Sequence, residues 1–324
     1  MSGSSEWFRP NDATAKTRLL MAGAFAGALI LLCTSIVFSW PVEAGRNDPV
    51  AIAQEERRKA FDSPAGSCLQ WTPPEGADMR RVDCAQAHLF EVTSNVDISA
   101  EYPENAPPPD TEKWQEIAVA KCTPGAVTYL GGNLDPFGKF SVNALKPTNE
   151  QWAEGDRKVR CGLQSAAPSG ALLTTVGSAA RQDQSKIHEP GTCLALVGQE
   201  IGDPVPCDQV HAFEIVGNVD LGAAFPAEYP AVEAQTERAS DLCAEVTTAY
   251  TGGADLAKKG LTPYPDTLRP ESWAAGSRKV DCRVGAKLPD GSGLAPVTGS
   301  VRAVPATPPP ATQPPPGAPT PSGG

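Results

Sequence analysis

Eight of the nine cysteines fall into two sets of four with matching spacing: Cys68, Cys84, Cys122 and Cys161, then Cys193, Cys207, Cys243 and Cys282. The residues around them repeat too. VDCAQAHLFEVTSNVDI from Val82 is answered by VPCDQVHAFEIVGNVDL from Val205, and QWAEGDRKVRC, ending at Cys161, by SWAAGSRKVDC, ending at Cys282. The offset barely changes along the chain, so we expect two tandem copies of one domain, 68–181 and 193–302. Each is long enough for a core of its own, and two such units are too few and too long for a solenoid. An even cysteine count per unit is the mark of a disulfide framework in an oxidising compartment. Four cysteines allow three pairings. The expected one joins Cys68 to Cys84 and Cys122 to Cys161, with Cys193–Cys207 and Cys243–Cys282 in the second unit, and the other two pairings stay open.

Ahead of both units, Leu19 to Trp40 carries no charged residue. Its 22 residues, at ~1.5 Å per residue, span about 33 Å as a helix, enough for a hydrocarbon core of roughly 30 Å. Pro41 stops the helix and Trp40 sits where an interfacial aromatic belongs. Arg9, Lys16 and Arg18 precede the span, which predicts a cytoplasmic N-terminus, 1–18, and an exported remainder. The run is longer than a cleaved signal peptide's apolar region, so a single-pass anchor at the plasma membrane is expected. Cys33 lies inside it behind Leu32, which does not fit a lipidation site. The net charge of -11 and a pI near 4.8 argue against nucleic acid as a partner.

Outside the two units, 41–67 reads as a polar stalk, 182–192 as a short linker and 303–324 as a proline-rich disordered tail without charge. Within a unit, His88–Val92 and His211–Ile215 alternate as half-buried strands, with each histidine facing inward and Glu91 and Glu214 facing out to solvent. Asp110 can cap a helix that carries Trp114, Ile117 and Cys122 on one face and is ended or kinked by Pro124. Its counterpart, Ala231 to Tyr250, lacks that proline and should run longer. Thr148 heads a single turn at Trp152, and Arg157 to Leu163 reads as a strand with a hairpin partner after Gly170. Arg157-Lys158 and Arg278-Lys279 read as solvated charges flanking a strand. The class is α+β, a mainly antiparallel sheet with one principal helix in each unit.

Candidate chemistry is sparse. Cys84 and His88 are four apart, as are Cys207 and His211, with Glu91 and Glu214 nearby, but oxidised cysteines cannot serve as thiolate ligands. No metal and no cofactor is therefore expected, and His88 and His211 read first as core residues, second as a ligand site common to both units. His188 has no counterpart. Serine-hydrolase elbows, phosphate loops, zinc-protease helices and dinucleotide fingerprints are all missing from the sequence, so no catalytic residue is assigned.

The order of these elements — a cysteine, C-x3-H-x2-E, a cysteine-bearing helix, then W-x2-G-[DS]-R-K-V-x-C — resembles the actinobacterial septum formation domain family. CAQAHLFEV, CDQVHAFEI, WAEGDRKVRC and WAAGSRKVDC carry the resemblance over both units, with Ser277 standing where the first unit has Asp156. It implies a membrane-anchored envelope protein tied to division or wall assembly, with divisome proteins or wall components as partners and no catalytic residues to transfer. The expected role is a non-catalytic binding or scaffold protein. The rivals are an envelope enzyme built on His88 and His211, and a spacer that presents the proline-rich tail.

Overall fold

Alternating and continuous apolar runs assemble into two six-stranded antiparallel sheets in the computed structural model, which describes residues 49–303 apart from Glu75 and Ala227. The expected anchor 19–40, the N-terminus 1–18 and all but the first residue of the tail 303–324 lie outside the described residues. Among those described, no helix is long and apolar enough to cross a membrane. The chain divides into two units at Arg57 and Arg58, and both sheets belong to the second.

The first sheet comprises β1 (Cys68–Gln70), β2 (Arg80–Val82), β3 (Phe90–Asp97), β4 (Ser141–Leu145), β5 (Lys158–Ala166) and the short β6 (Leu172–Leu173). Its order is β2-β1-β3-β5-β4, with β6 paired to β5. The second sheet holds β7 (Cys193–Val197), β8 (Glu200–Val205), β9 (His211–Asp220), β10 (Thr262–Pro265), β11 (Lys279–Lys287) and β12 (Leu294–Ala295). It runs β8-β7-β9-β11-β10 with β12 on β11, the same order as the first. All pairs are antiparallel, which short local connections allow.

A helix lies against each sheet. In the first half, α2 (Thr111–Ile117) starts on the Asp110 side chain, which accepts from the Lys113 amide at 2.8 Å. It passes through a π-turn, Ala118–Cys122, into α3 (Thr123–Tyr129). Pro124 falls in the first turn of α3, where its missing amide leaves no hydrogen bond unmade. In the second half the corresponding helix, Val232–Thr251, is continuous over 20 residues and stops at Gly252 in the left-handed conformation, φ +64°. Both helices approach the sheet closely, by opposite means. The glycine is on the helix in one half, where a Cβ on Gly125 would stand 2.3 Å from Ser94 Oγ. It is on the strand in the other, where a Cβ on Gly217 would stand 2.1 Å from Val246 Cγ1.

Four disulfides close the framework in the expected pairing: Cys68–Cys84, Cys122–Cys161, Cys193–Cys207 and Cys243–Cys282. The first and third staple β1 and β7 to the loop after the neighbouring edge strand across separations of 16 and 14 residues, and the others tie helix to β5 or β11 across 39. Restricting the unfolded chain by loops of these lengths stabilises by about 3 and about 4 kcal/mol respectively.

Two segments depart from the expected spacers. The stalk contains a helix, α1 (Pro49–Phe61), whose last residues Ala60 and Phe61 are buried, Ala60 among Leu69, Trp71, Phe90 and Val92. A polar, charge-rich composition concealed this because only the final turn contributes apolar contacts. The linker is packed as well: Gln184 and Ser185 are buried between the two halves.

Candidate functional site

The two glutamates expected in solvent are buried, Glu91 at 2% and Glu214 at 1% exposure. Each lies in the middle strand of its sheet, opposite the first cysteine of its half. The face it points to is covered by the helix and by the segment following the last hairpin. Glu91 accepts from the Tyr129 hydroxyl, from Ser178 Oγ at 2.7 Å and from the Ala179 amide at 2.7 Å. Glu214 accepts from Tyr250 at 2.7 Å, Ser300 Oγ at 2.6 Å and the Val301 amide at 2.7 Å. Helix, strand and C-terminal segment are thus tied through one carboxylate in each half. Burial, and then the hydrogen bond to the glutamate, push the Tyr129 and Tyr250 phenols above the usual tyrosine range.

His88 and His211 are each 1% exposed. Their Nδ1–H groups donate to the Gln86 and Gln209 carbonyls at 2.9 and 2.8 Å. This fixes the proton on Nδ1 in both rings. His88 Nε2 then meets Thr175 Oγ1 at 3.2 Å and lies 3.9 Å from Glu91. Strict alternation would have separated that histidine from that glutamate. A bend at Leu89, just ahead of β3, brings them together. Cys68, His88 and Glu91 offer ligand atoms within 4.8 Å of one another, as do Cys193, Cys207 and Glu214. The cysteines are in disulfides, however, so neither set holds a thiolate for a metal.

The basic pairs also need revision, for Arg157 is buried and Arg278 half-buried. Arg157 stacks on Trp152 at 3.8 Å and donates to the carbonyls of Trp152, Tyr102 and Glu104 at 2.7, 2.9 and 2.6 Å. Arg278 stacks on Trp273 at 4.0 Å and donates to the Trp273 and Ser277 carbonyls. The W-x2-G-x-R spacing therefore encodes an arginine that clamps the turn carrying its own tryptophan.

The two halves meet at Asp135, 2% exposed, which accepts from Ser272 Oγ at 2.9 Å and Ser277 Oγ at 2.6 Å. The Gln184 side chain bridges the Asp135 amide and the Asn133 carbonyl, and Ser185 Oγ accepts from the Arg278 and Lys279 amides. Ser277, the departure from Asp156, is the residue this joint requires, since a second carboxylate there would face Asp135.

Beside the joint a cleft of about 280 Å³ opens. Its floor carries Asp281, 3% exposed, which bonds His188 Nδ1 at 2.7 Å and Asn218 at 2.7 Å. Arg283 pairs with Asp266 at 3.1 Å next to it. Neither Asp281 nor this role of His188 stood out in the sequence. The available signal was that Asp281 replaces Arg160 inside an otherwise repeated motif.

Two antiparallel sheets with helices, each sheet stapled by two disulfides, define a disulfide-bonded α+β protein. More specifically, the septum formation family matches residues 65–282, and the chain belongs to that family. It is also 35% identical, over 94% of its own length and 72% of theirs, to an uncharacterised membrane protein of Mycobacterium tuberculosis, found in strains CDC 1551 / Oshkosh and H37Rv. No solved structure matches.

Proposed function

We propose that the chain is a non-catalytic binding and scaffold protein of the cell envelope that serves septum formation or wall assembly. In this reading Leu19–Trp40 anchors it in the plasma membrane with the N-terminus inside, and two tandem copies of one domain, 68–181 and 193–302, stand outside. Their partners are other envelope or divisome proteins or wall components. Family membership and the membrane-protein relatives support the location. Disulfides tying all eight framework cysteines suit the extracytoplasmic side.

One observation carries the non-catalytic half of the proposal. The residues best suited to acid–base chemistry, His88, Glu91, His211 and Glu214, are buried and engaged with groups of the frame itself. The test replaces His88 or His211 with alanine in the intact gene. Loss of a buried hydrogen-bonding ring costs about 1–3 kcal/mol, so melting temperature and abundance should fall together with the division phenotype. Variants as stable and abundant as the wild type that nevertheless lose the phenotype would move catalysis to the front. If deleting residues 303–324 alone reproduced the null phenotype, the domains would be spacers for the tail.

A further inference from the structure

We propose that the cleft over the His188–Asp281 pair binds a small anionic ligand, an oxyanion head on an apolar body. Phe137, Leu194, Ile201, Leu268 and Val280 give it apolar walls, and its volume of about 280 Å³ suits a small molecule rather than a chain. The charges around it are unevenly spent. Asp135 is held by two serines, Asp281 by His188 and Asn218, and Asp266 by Arg283. On the cationic side, Arg283 is held by Asp266. Lys186 and Lys279 on the lining have no carboxylate at ion-pair distance among the described residues. What is left for an incoming group is therefore positive, in a chain whose net charge is -11. Ammonium groups without a carboxylate partner are the groups that pair with an incoming carboxylate or phosphate.

Aligned on the repeated motif, two places of the cleft differ in charge from the first half: Arg160 becomes Asp281, which His188 and Asn218 hold, and Gly162 becomes Arg283. Arg283 also takes a place that a side chain cannot occupy in the first half, where a Cβ on Gly162 would stand 2.2 Å from the Phe90 ring.

The inference rests on the binding-module reading and can fail apart from it. The full chain in lipid nanodiscs is titrated calorimetrically with benzoate, phenyl phosphate and neutral benzamide, against empty nanodiscs. At least one anion should bind saturably, with benzamide weaker by about tenfold or more. The tighter anion tells a carboxylate site from a phosphate site. Lys186→Glu with Lys279→Glu should weaken the anion by about tenfold at an unchanged melting temperature. Ile201→Trp, which narrows the cleft from a partly exposed wall without altering charge, should remove binding even if the lysine variant folds poorly. Equal binding of benzamide, no saturable anion, or undiminished binding in Ile201→Trp overturns the site. Should that happen while the histidine variants behave as a binding module requires, only the cleft's ligand is lost.

Discussion

Arg160 and Asp281 occupy the same place in their strands, one residue before the last cysteine of each half, and carry opposite charge. Each finds its partner in the same region, the segment leading into its own sheet. Arg160 pairs with Asp62 and lies 4.6 Å over the Phe61 ring, whereas Asp281 pairs with His188 at 2.7 Å. Both halves thus keep a polar contact between leader and strand, with the acid on the leader in one and on the strand in the other. The surroundings differ more than the pairing. The strand residues are equally buried, Arg160 at 4% and Asp281 at 3%, but the leader residues differ, Asp62 being 59% and His188 21% exposed at the side chain. One pair sits at a surface and the other closes the floor of a cleft.

The strongest way to break the likeness of the halves is to remove their helix–strand disulfides. Cys122→Ala with Cys161→Ala, and Cys243→Ala with Cys282→Ala, close equal separations and should each cost about 4 kcal/mol in urea unfolding. A clear inequality would show that the π-turn at Cys122 or the unbroken second helix carries load of its own. A smaller effect sharpens the contrast between the ion pairs. Asp281→Asn strips charge from a buried acceptor with two partners and should cost about 1–3 kcal/mol. Asp62→Asn, more than half exposed, should cost about 1 kcal/mol or less in the same assay. Comparable costs would mean that the leader segments are equally shielded.

The smallest effect concerns the tyrosines, where the halves should agree. Burial first, then hydrogen bonding to Glu91 or Glu214, raises the Tyr129 and Tyr250 phenols in the folded state. A raised folded value favours the protonated form, so this contribution to stability is complete below the ordinary phenol range and is lost as pH climbs through the raised one. Phenolate absorbance should appear late on alkaline titration, and Tyr129→Phe and Tyr250→Phe should each remove a late component. An early, ordinary titration of either tyrosine would show that its carboxylate tie is open in solution.

The cysteine pattern announced a disulfide framework and left its pairing among three possibilities. Matching spacings announced two like sheets, and the neighbouring pairing it favoured is the one that forms. Local signals placed the caps at Asp110 and Thr148 and the longer second helix, because a cap or a proline acts within a turn of itself. Burial is decided at longer range. Alternation showed that Glu91 and Glu214 turn away from the first apolar face, but their own face is closed by residues 36 to 88 positions distant. A strand of a sheet covered on both sides has no outside, and nothing in HLFEV says which kind of sheet it will join. The packed linker and the cleft share that origin. Asp135 and Ser277, or Asp281 and His188, lie far apart in the chain, and their meeting is set by how the sheets and the linker pack rather than by any spacing along the sequence.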